Sequence, residues 1–398
     1  MLTPELLPRV QRALADLELD GWLLYDFRGC NPIAQSILGL EGLQTRRIFG
    51  WIPRDGVPVA IVHRIEPGPL RRWPNEWPKR QYSGWRELEK QVGQLVQKKR
   101  RIAMETSMFD AVPVLDRVPA GVIQLVENAT YRDAVTSSGE LVSMFYATLN
   151  SDQIASHARA AEAIAKIAHE AMQHAGERAR SGQPATEYEI FQWIHNAFSR
   201  ARLTTDHGPS VSVNANAADP HYEPTAEQSE RITSGSTLLI DLFAHEQGGV
   251  WADQCWMGTM GPPNERVAKL WVDVRDARDA AIDFIKAQTR AGVPLKGAAV
   301  DDIARGVLRQ RGVADQFTHR TGHSIDAREL HGAGPNLDNL ETREERLLLP
   351  GVAFSVEPGV YFLGEVGLRS EVNAIIAGGP GGELLVTPNE YQRELIVV

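Results

Sequence analysis

Apolar positions follow two textures along the chain. Up to about residue 145, short apolar runs alternate with helical spacing: a helix over about 4–17, the run Gly21-Trp22-Leu23-Leu24-Tyr25, a second run over 57–62, a helix over about 85–98, and Arg101-Ile102-Ala103-Met104 as a further strand. Strands alternating with helices of this length predict a small α/β domain over 1–145, with Ser137-Ser138-Gly139 opening a linker. From about 150 the helical spacing lengthens. Ile154, Ala158, Ala161, Ile164, Ala168 and Met172 fall on one face of a helix opened by Ser151-Asp152. Three more helices are predicted: one after Pro184, one from Pro263, and one over about 298–311.

This second texture repeats itself. Arg180-Ser181-Gly182-Gln183-Pro184 and Arg290-Ala291-Gly292-Val293-Pro294 stand 110 residues apart, and the same offset separates His221 from His331. Two coincident offsets, each followed by a glycine-centred hairpin, predict a duplicated unit. Two related halves facing each other would build one site from equivalent positions.

Acids interrupt the apolar runs of both halves. The run from Thr237 to Phe243 contains Asp241, the diglycine Gly248-Gly249 follows, and Val250-Trp251-Ala252 leads to Asp253. A diglycine between two such runs reads as a hairpin turn. Folding at 247, the midpoint of the two aspartates, would set them nearly opposite, Cβ atoms roughly 5 Å apart. In the second half Glu357 and Glu371 lie equally far from Gly364. Four converging carboxylates cannot all stay ionised without cations, because like charges raise each other's pKa. Two divalent ions balance them, and hard oxygen ligands with one imidazole suit Mn²⁺, with Co²⁺ or Zn²⁺ as alternatives. The imidazole lies in Thr318-His319-Arg320-Thr321-Gly322-His323-Ser324, where spacing leaves His319 and His323 equally eligible.

The order Asp241, Asp253, His323, Glu357, Glu371, with His221 and His331 interleaved, resembles the dinuclear-metal peptidases of the pita-bread fold. These are the Xaa-Pro dipeptidases (prolidases), Xaa-Pro aminopeptidases and methionine aminopeptidases, with metal-free creatinase as a structural cousin. The resemblance implies an α+β chain. Its pita-bread domain would span 150–398, duplicated α/β halves around a curved antiparallel sheet, preceded by a creatinase/prolidase-like α/β domain over 1–145. It also implies two divalent ions per subunit on those five ligands, and a homodimer. The implied reaction is hydrolysis of the Xaa-Pro bond by a metal-bridging hydroxide, in dipeptides, with Xaa-Pro aminopeptidase action on longer peptides as the alternative. Glu357 would shuttle the proton, His221 and His331 would sit at the substrate, and His319 on its side. Arg369 shares a strand face with Glu371. It is the candidate cation for a dipeptide's C-terminal carboxylate, or else it neutralises a metal-site aspartate. The chain departs from the family at Cys255, which stands where a hydroxyl often orients a carboxylate, and in one extra residue between His323 and His331.

Composition narrows the alternatives. With 42 Lys and Arg against 51 Asp and Glu, the net charge of −9 argues against nucleic acid as a partner. No apolar run is long enough to span a bilayer, the first twenty residues read as an amphipathic helix rather than a signal, and two cysteines, Cys30 and Cys255, fit a reducing cytoplasm. The basic, aromatic stretch from Arg71 to Tyr82 reads as a solvated loop, with a substrate or subunit contact as the rival. His169 and His174 stand five apart and miss the HExxH spacing, and neither a G-x-S-x-G elbow nor a P-loop occurs. The glycine-rich 378–382 reads as a turn. A metal-free creatinase-like hydrolase, or a binding module that lost catalysis, would be expected to lack some of the ligands; none is missing.

Overall fold

In the computed structural model the described residues are 1–378 and 382–398. The turn expected over 378–382 therefore falls mainly on residues outside them. The chain divides into two units, Met1–Tyr146 and Ala147–Val398. Among the described residues no helix is long and apolar enough to cross a membrane.

The first unit is a six-stranded mixed sheet in the order β4-β3-β2-β1-β5-β6. Its strands are β1 (Gly21–Phe27), β2 (Arg47–Pro53), β3 (Val59–His63), β4 (Lys79–Tyr82), β5 (Ile102–Met104) and β6 (Val135–Ser137). Its helices are α1 (Leu7–Asp16), α2 (Pro32–Leu38), α3 (Trp85–Val96), α4 (Ala120–Asn128) and α5 (Gly139–Phe145). Helix α3 buries Leu88, Val92, Leu95 and Val96, one helical face, against Leu23, Phe49, Ile61 and Ile102 of the sheet. Two local expectations change here. The stretch 71–82 is not a solvated loop: Trp73 and Trp77 are buried edge-to-face, 5.1 Å between ring centroids, and Lys79–Tyr82 forms edge strand β4. The positive charge stays outside, where Arg71 and Arg72 pair with Glu41. Nor does Ser138 begin a linker; it is buried, its hydroxyl donates to Glu105, and α5 follows directly.

The second unit repeats one plan: long helix, short helix, antiparallel strands. The first half holds α6 (Ser151–Arg180), α7 (Glu187–Ala201), β7 (Leu203–Thr204), β8 (Ser210–Val213), β9 (Thr237–Glu246) and β10 (Ala252–Thr259). The second holds α8 (Glu265–Ala291), α9 (Gly297–Gln310), β11 (Ser324–Ile325), β12 (Ala353–Val356), β13 (Gly359–Phe362), β14 (Val366–Arg369), β15 (Val372–Ala377), β16 (Glu383–Thr387) and β17 (Ile396–Val397). Helices α7 and α9 begin 110 residues apart, and the bridges Thr186–Arg231 and Lys296–Leu347 precede them equivalently. The cap of α6 is Asn150, not Ser151: its side chain accepts from the Gln153 N–H while Gln153 accepts from its own.

Among the described residues two main sheets result, β17-β10-β9-β7 with β8 also on β9, and β11-β12-β15-β16, beside the two-stranded β13-β14. Helices α6 and α7 pack on the first through Ala161, Ile164, Ala168, Ile190 and Ile194 against Leu238, Ile240 and Trp256. Helix α8 packs on the second through Trp271, Val274 and Ile282 against Phe354, Val356 and Ala374. Each buried Val, Leu or Ile among them is worth about 1.5–3 kcal/mol, which holds both sheets rigidly. The Asp253 N–H donates to the Asn373 side-chain oxygen at 2.8 Å and ties one sheet to the other.

One glycine sets how closely the second half closes. A Cβ on Gly322 would come 1.9 Å from the Ser355 carbonyl oxygen. Without it, the Ser355 N–H reaches the His323 carbonyl at 2.9 Å and the Glu357 N–H reaches that of Thr321 at 2.7 Å. Gly322→Ala is therefore expected to cost about 1–3 kcal/mol or more, seen as a lower thermal midpoint, and to weaken divalent-ion binding because His323 and Glu357 move apart. An unchanged midpoint would show that this approach is not tight.

Candidate metal centre

The acids sit where the hairpins put them, with one change of register. Strands β9 and β10 pair Ala244 with Ala252 and Cys255 with Asp241, so the hairpin axis falls at Gly248, one residue beyond the expected midpoint. Asp253 therefore pairs with Phe243, and the aspartates are diagonal neighbours on one face rather than opposite each other. The second hairpin matches its symmetry. Val356 pairs with Val372 and Gly359 with Arg369; continuing that register across the gap sets Glu357 opposite Glu371. Gly364 closes the turn at φ +72°, a backbone angle that costs glycine nothing.

These strands bring Asp253, His323 and Glu371 together, all buried, with one side-chain donor atom of each within 4.8 Å of the others. His323 Nε2 lies 3.2 Å from Asp253 Oδ2 and 3.7 Å from Glu357 Oε1. Its Nδ1 lies 3.1 Å from the Ser324 carbonyl. A carbonyl only accepts, so Nδ1 carries a proton; burial would lower the ring's pKa, but Asp253 and Glu357 raise it in the metal-free centre, and Nε2 is the nitrogen that would turn to a cation. The Ser355 hydroxyl donates to Glu357 Oε1 at 3.0 Å. Asp241 Oδ2 accepts from Arg369 Nη2 at 2.5 Å. Among the described residues, Asp241 Oδ1 and Glu371 Oε1 are buried without a hydrogen-bond partner.

Burial dominates the titration of this cluster. It pushes Asp241 up to about 7, helped by Asp253 and Glu357 and opposed by Arg369. It raises Asp253, and it lifts Glu371 well above the usual carboxylate range, aided by the neighbouring acids. Glu357 goes the other way: burial would raise it, but His323, His319 and Arg369 together hold it low. Two unpartnered carboxylate oxygens, crowded acids and one inward-facing ring nitrogen form a donor set suited to divalent cations.

The remaining residues line a cavity of about 700 Å³ around the acids, among them His207, His221, Phe243, His319, Arg320, Leu330, His331 and Arg369. His319 and His323 are now distinct. Both ring nitrogens of His319 are engaged at 2.8 Å, Nδ1 by the Arg320 carbonyl and Nε2 by the Tyr361 hydroxyl. His331, exposed to the cavity like His221, has its ring 4.2 Å from that of His323, and partial desolvation together with the charge of that neighbour lowers its pKa. His221 stands exposed at the rim. Arg369 is buried, and besides Asp241 its Nη1 meets the Tyr361 hydroxyl at 3.3 Å. Cys255 is buried opposite Asp241, on the same face of β10 as Asp253; burial pushes its thiol up.

Several residues had gone unnoticed in the sequence. Tyr361 continues the face of Ser355, Glu357 and Gly359 at period two, a pattern open to reading. Glu187 gives no such sign, since an acid in a first helical turn usually only answers the helix dipole. Here it is buried and accepts from Val213 N–H (2.7 Å), the Asn216 amide, the Tyr222 hydroxyl (2.7 Å) and Glu230 N–H (2.8 Å), fixing the loop that carries His221. Asp326 does the same for the His331 loop, accepting from the N–H groups of Arg328, Glu329 and Ala333.

Residues 157–377, more than half the chain, match metallopeptidase family M24. The chain belongs to that family. The M24 match spans both hairpins and His323. A probable dipeptidase PepE of Mycobacterium tuberculosis is 32% identical over 191 residues, 47% of this chain and 45% of that relative. The chain thus spans about half the length of the curated relative it matches. Two solved structures share the fold: dipeptidase PepE of Mycobacterium ulcerans (TM-score 0.73, 20% identity, 99% of this chain and 97% of that one) and an Xaa-Pro dipeptidase of Bacillus anthracis (TM-score 0.65, 22% identity, 99% of each). The pita-bread architecture expected from the sequence is therefore present.

The raised carboxyls give the metal-free M24 centre a definite pH response. A carboxyl whose folded pKa is raised stabilises the fold below its unfolded value and loses that contribution as pH rises through the folded one. For Asp241 the window runs from 3.8 to about 7, and Asp253 and Glu371 shift in the same direction. A divalent ion bound to the ionised acids offsets the loss. The gap in melting temperature between Mn²⁺-loaded and EDTA-treated protein is expected to widen from about pH 5 to about pH 8. A gap that narrows over that range would contradict a carboxylate-ligated ion.

Proposed function

We propose that this M24 metallopeptidase cleaves the Xaa-Pro bond of dipeptides, with Asp241, Asp253, His323, Glu357 and Glu371 holding two divalent ions, Mn²⁺ foremost. The convergence of Asp253, His323 and Glu371 beside the unpartnered oxygens of Asp241 and Glu371 carries this reading. The names of the PepE and Xaa-Pro dipeptidase relatives support the substrate class. When bound, the ions supply Lewis acidity at the scissile carbonyl and make water a competent nucleophile near neutral pH.

The chain's own groups do the rest. Glu357, held ionised by its cationic neighbours and fixed through one oxygen by Ser355, takes a proton from the attacking water and hands it to the departing nitrogen. That transfer matters most for proline, whose secondary amine leaves poorly unless protonated. His331, with His221 at the rim, donates to the carbonyl oxygen as negative charge gathers there. The hydrogen-bonded series His319, Tyr361, Arg369, Asp241 keeps Asp241 oriented and compensated. In this reading Arg369 serves the aspartate rather than the substrate. Phe243 and Leu330 offer the apolar wall of the cavity to the substrate's side chains.

Ala-Pro, Ala-Pro-Ala and Ala-Ala assayed side by side with Mn²⁺ test the proposal. Ala-Pro is expected to be cleaved fastest, EDTA to abolish turnover, and Glu357→Gln to lower kcat by about 10²–10⁴-fold with little change in KM. Preference for Ala-Pro-Ala would assign aminopeptidase action instead. Turnover that survives EDTA would refute the metal-dependent reading.

A further inference from the structure

The cavity contains two arginines in opposite states. Arg369 is buried with its Nη2 on Asp241 and its Nη1 on Tyr361, leaving only Nε without a hydrogen-bond partner among the described residues. Arg320 lines the same cavity half-buried. Among the described residues its guanidinium has neither a hydrogen bond nor an ion pair. Glu341, a carboxylate of the same wall, is not its partner: Glu341 Oε1 accepts the Arg320 backbone N–H at 2.8 Å.

The backbone around Arg320 is pinned on both sides. The His319 carbonyl accepts from Arg305 Nη2, and Thr321 bonds Asp301 Oδ1 through its N–H at 3.0 Å and its hydroxyl at 2.6 Å. A fixed backbone with an unpaired planar cation on the cavity wall is a preorganised carboxylate receptor, because the guanidinium fork matches the two oxygens. Its field also reaches Glu357, His323 and His331.

Resting on the peptidase reading above, we propose that Arg320, not Arg369, receives the substrate's C-terminal carboxylate and so selects dipeptides. In a dipeptide that carboxylate is carried by the residue just after the scissile bond. In a longer peptide the same position holds a neutral amide, which cannot pair with a cation in this way.

The test uses a non-cleavable Ala-Pro analogue with its scissile carbonyl reduced to methylene, and the same analogue amidated at its C-terminus. Both are titrated calorimetrically into the Mn²⁺-loaded protein. The acid is expected to bind roughly 10–100-fold more tightly than the amide, with the gap shrinking as salt is added. Arg320→Ala and Arg320→Gln should erase the gap by weakening the acid alone, and Arg320→Lys should keep part of it. A gap that survives in Arg320→Ala, no gap in the unsubstituted protein, or no binding of either analogue overturns the assignment. Hydrolysis of Ala-Pro is read separately. Cleavage without a carboxylate preference sinks Arg320 and leaves the peptidase reading; a preference lost with Arg320 but without cleavage does the reverse.

Discussion

Four carboxyls beside one imidazole, Asp253 and Glu371 buried and Asp241 and Glu357 half-buried, dominate the energetics of the second unit. Removing an ionised carboxylate from water costs far more than any single apolar contact returns, and here four share one pocket. The chain compensates in part: Arg369 pairs with Asp241, Ser355 donates to Glu357, and His323 meets Asp253. It leaves one oxygen of Asp241 and one of Glu371 without a donor. The apolar packing of α6 and α8 against the two sheets is what keeps the strands from opening to hydrate those acids. Rigidity bought by the cores is thus expressed as electrostatic tension at the centre, and a divalent cation is the species that relieves it.

The legible part of this arrangement was local. Apolar strands with an acid at a fixed period, a glycine between them, and a second copy further along are all short-range patterns, and they led to Asp241, Asp253, Glu357 and Glu371. Symmetry about Gly364 gave the second hairpin its true register. In the first hairpin the pairing of Ala244 with Ala252 moved the axis by one residue, a shift that a midpoint between acids cannot detect. The aspartates still share a face because side chains alternate with a period of two.

What stayed hidden depended on partners far away in sequence. His319 and His323 look alike until Tyr361 takes one nitrogen of His319 and the Ser324 carbonyl orients the other ring. Trp73 and Trp77 looked solvated because charged neighbours flank them, while the fold turns the rings inward and the guanidiniums outward. Arg320 and Arg369 are equally basic on the page. Only the positions of Asp241 and Glu341 show that one guanidinium is paired with an acid and the other is not.

The duplication also has a limit, and the limit is functional. The order of helices and hairpins recurs, yet the loops bearing His221 and His331 are fastened by unrelated acids, Glu187 at the start of α7 and Asp326 after β11. The position 110 residues beyond Glu187 is Gly297, where a Cβ would come 1.8 Å from the Asn336 carbonyl oxygen. No side chain, and so no equivalent carboxylate, fits there. The second half must anchor its loop from another strand end, and it does so tightly: a Cβ on Gly332 would meet the Asp326 backbone at 2.8 Å. Both histidines are exposed to the cavity, but His331 lies ring to ring with His323 while His221 is held through its backbone N–H by Asp219. Equivalent scaffolds with inequivalent loops give the acids near-symmetric support and the substrate an asymmetric cavity, which is what a peptide, with distinct ends, requires.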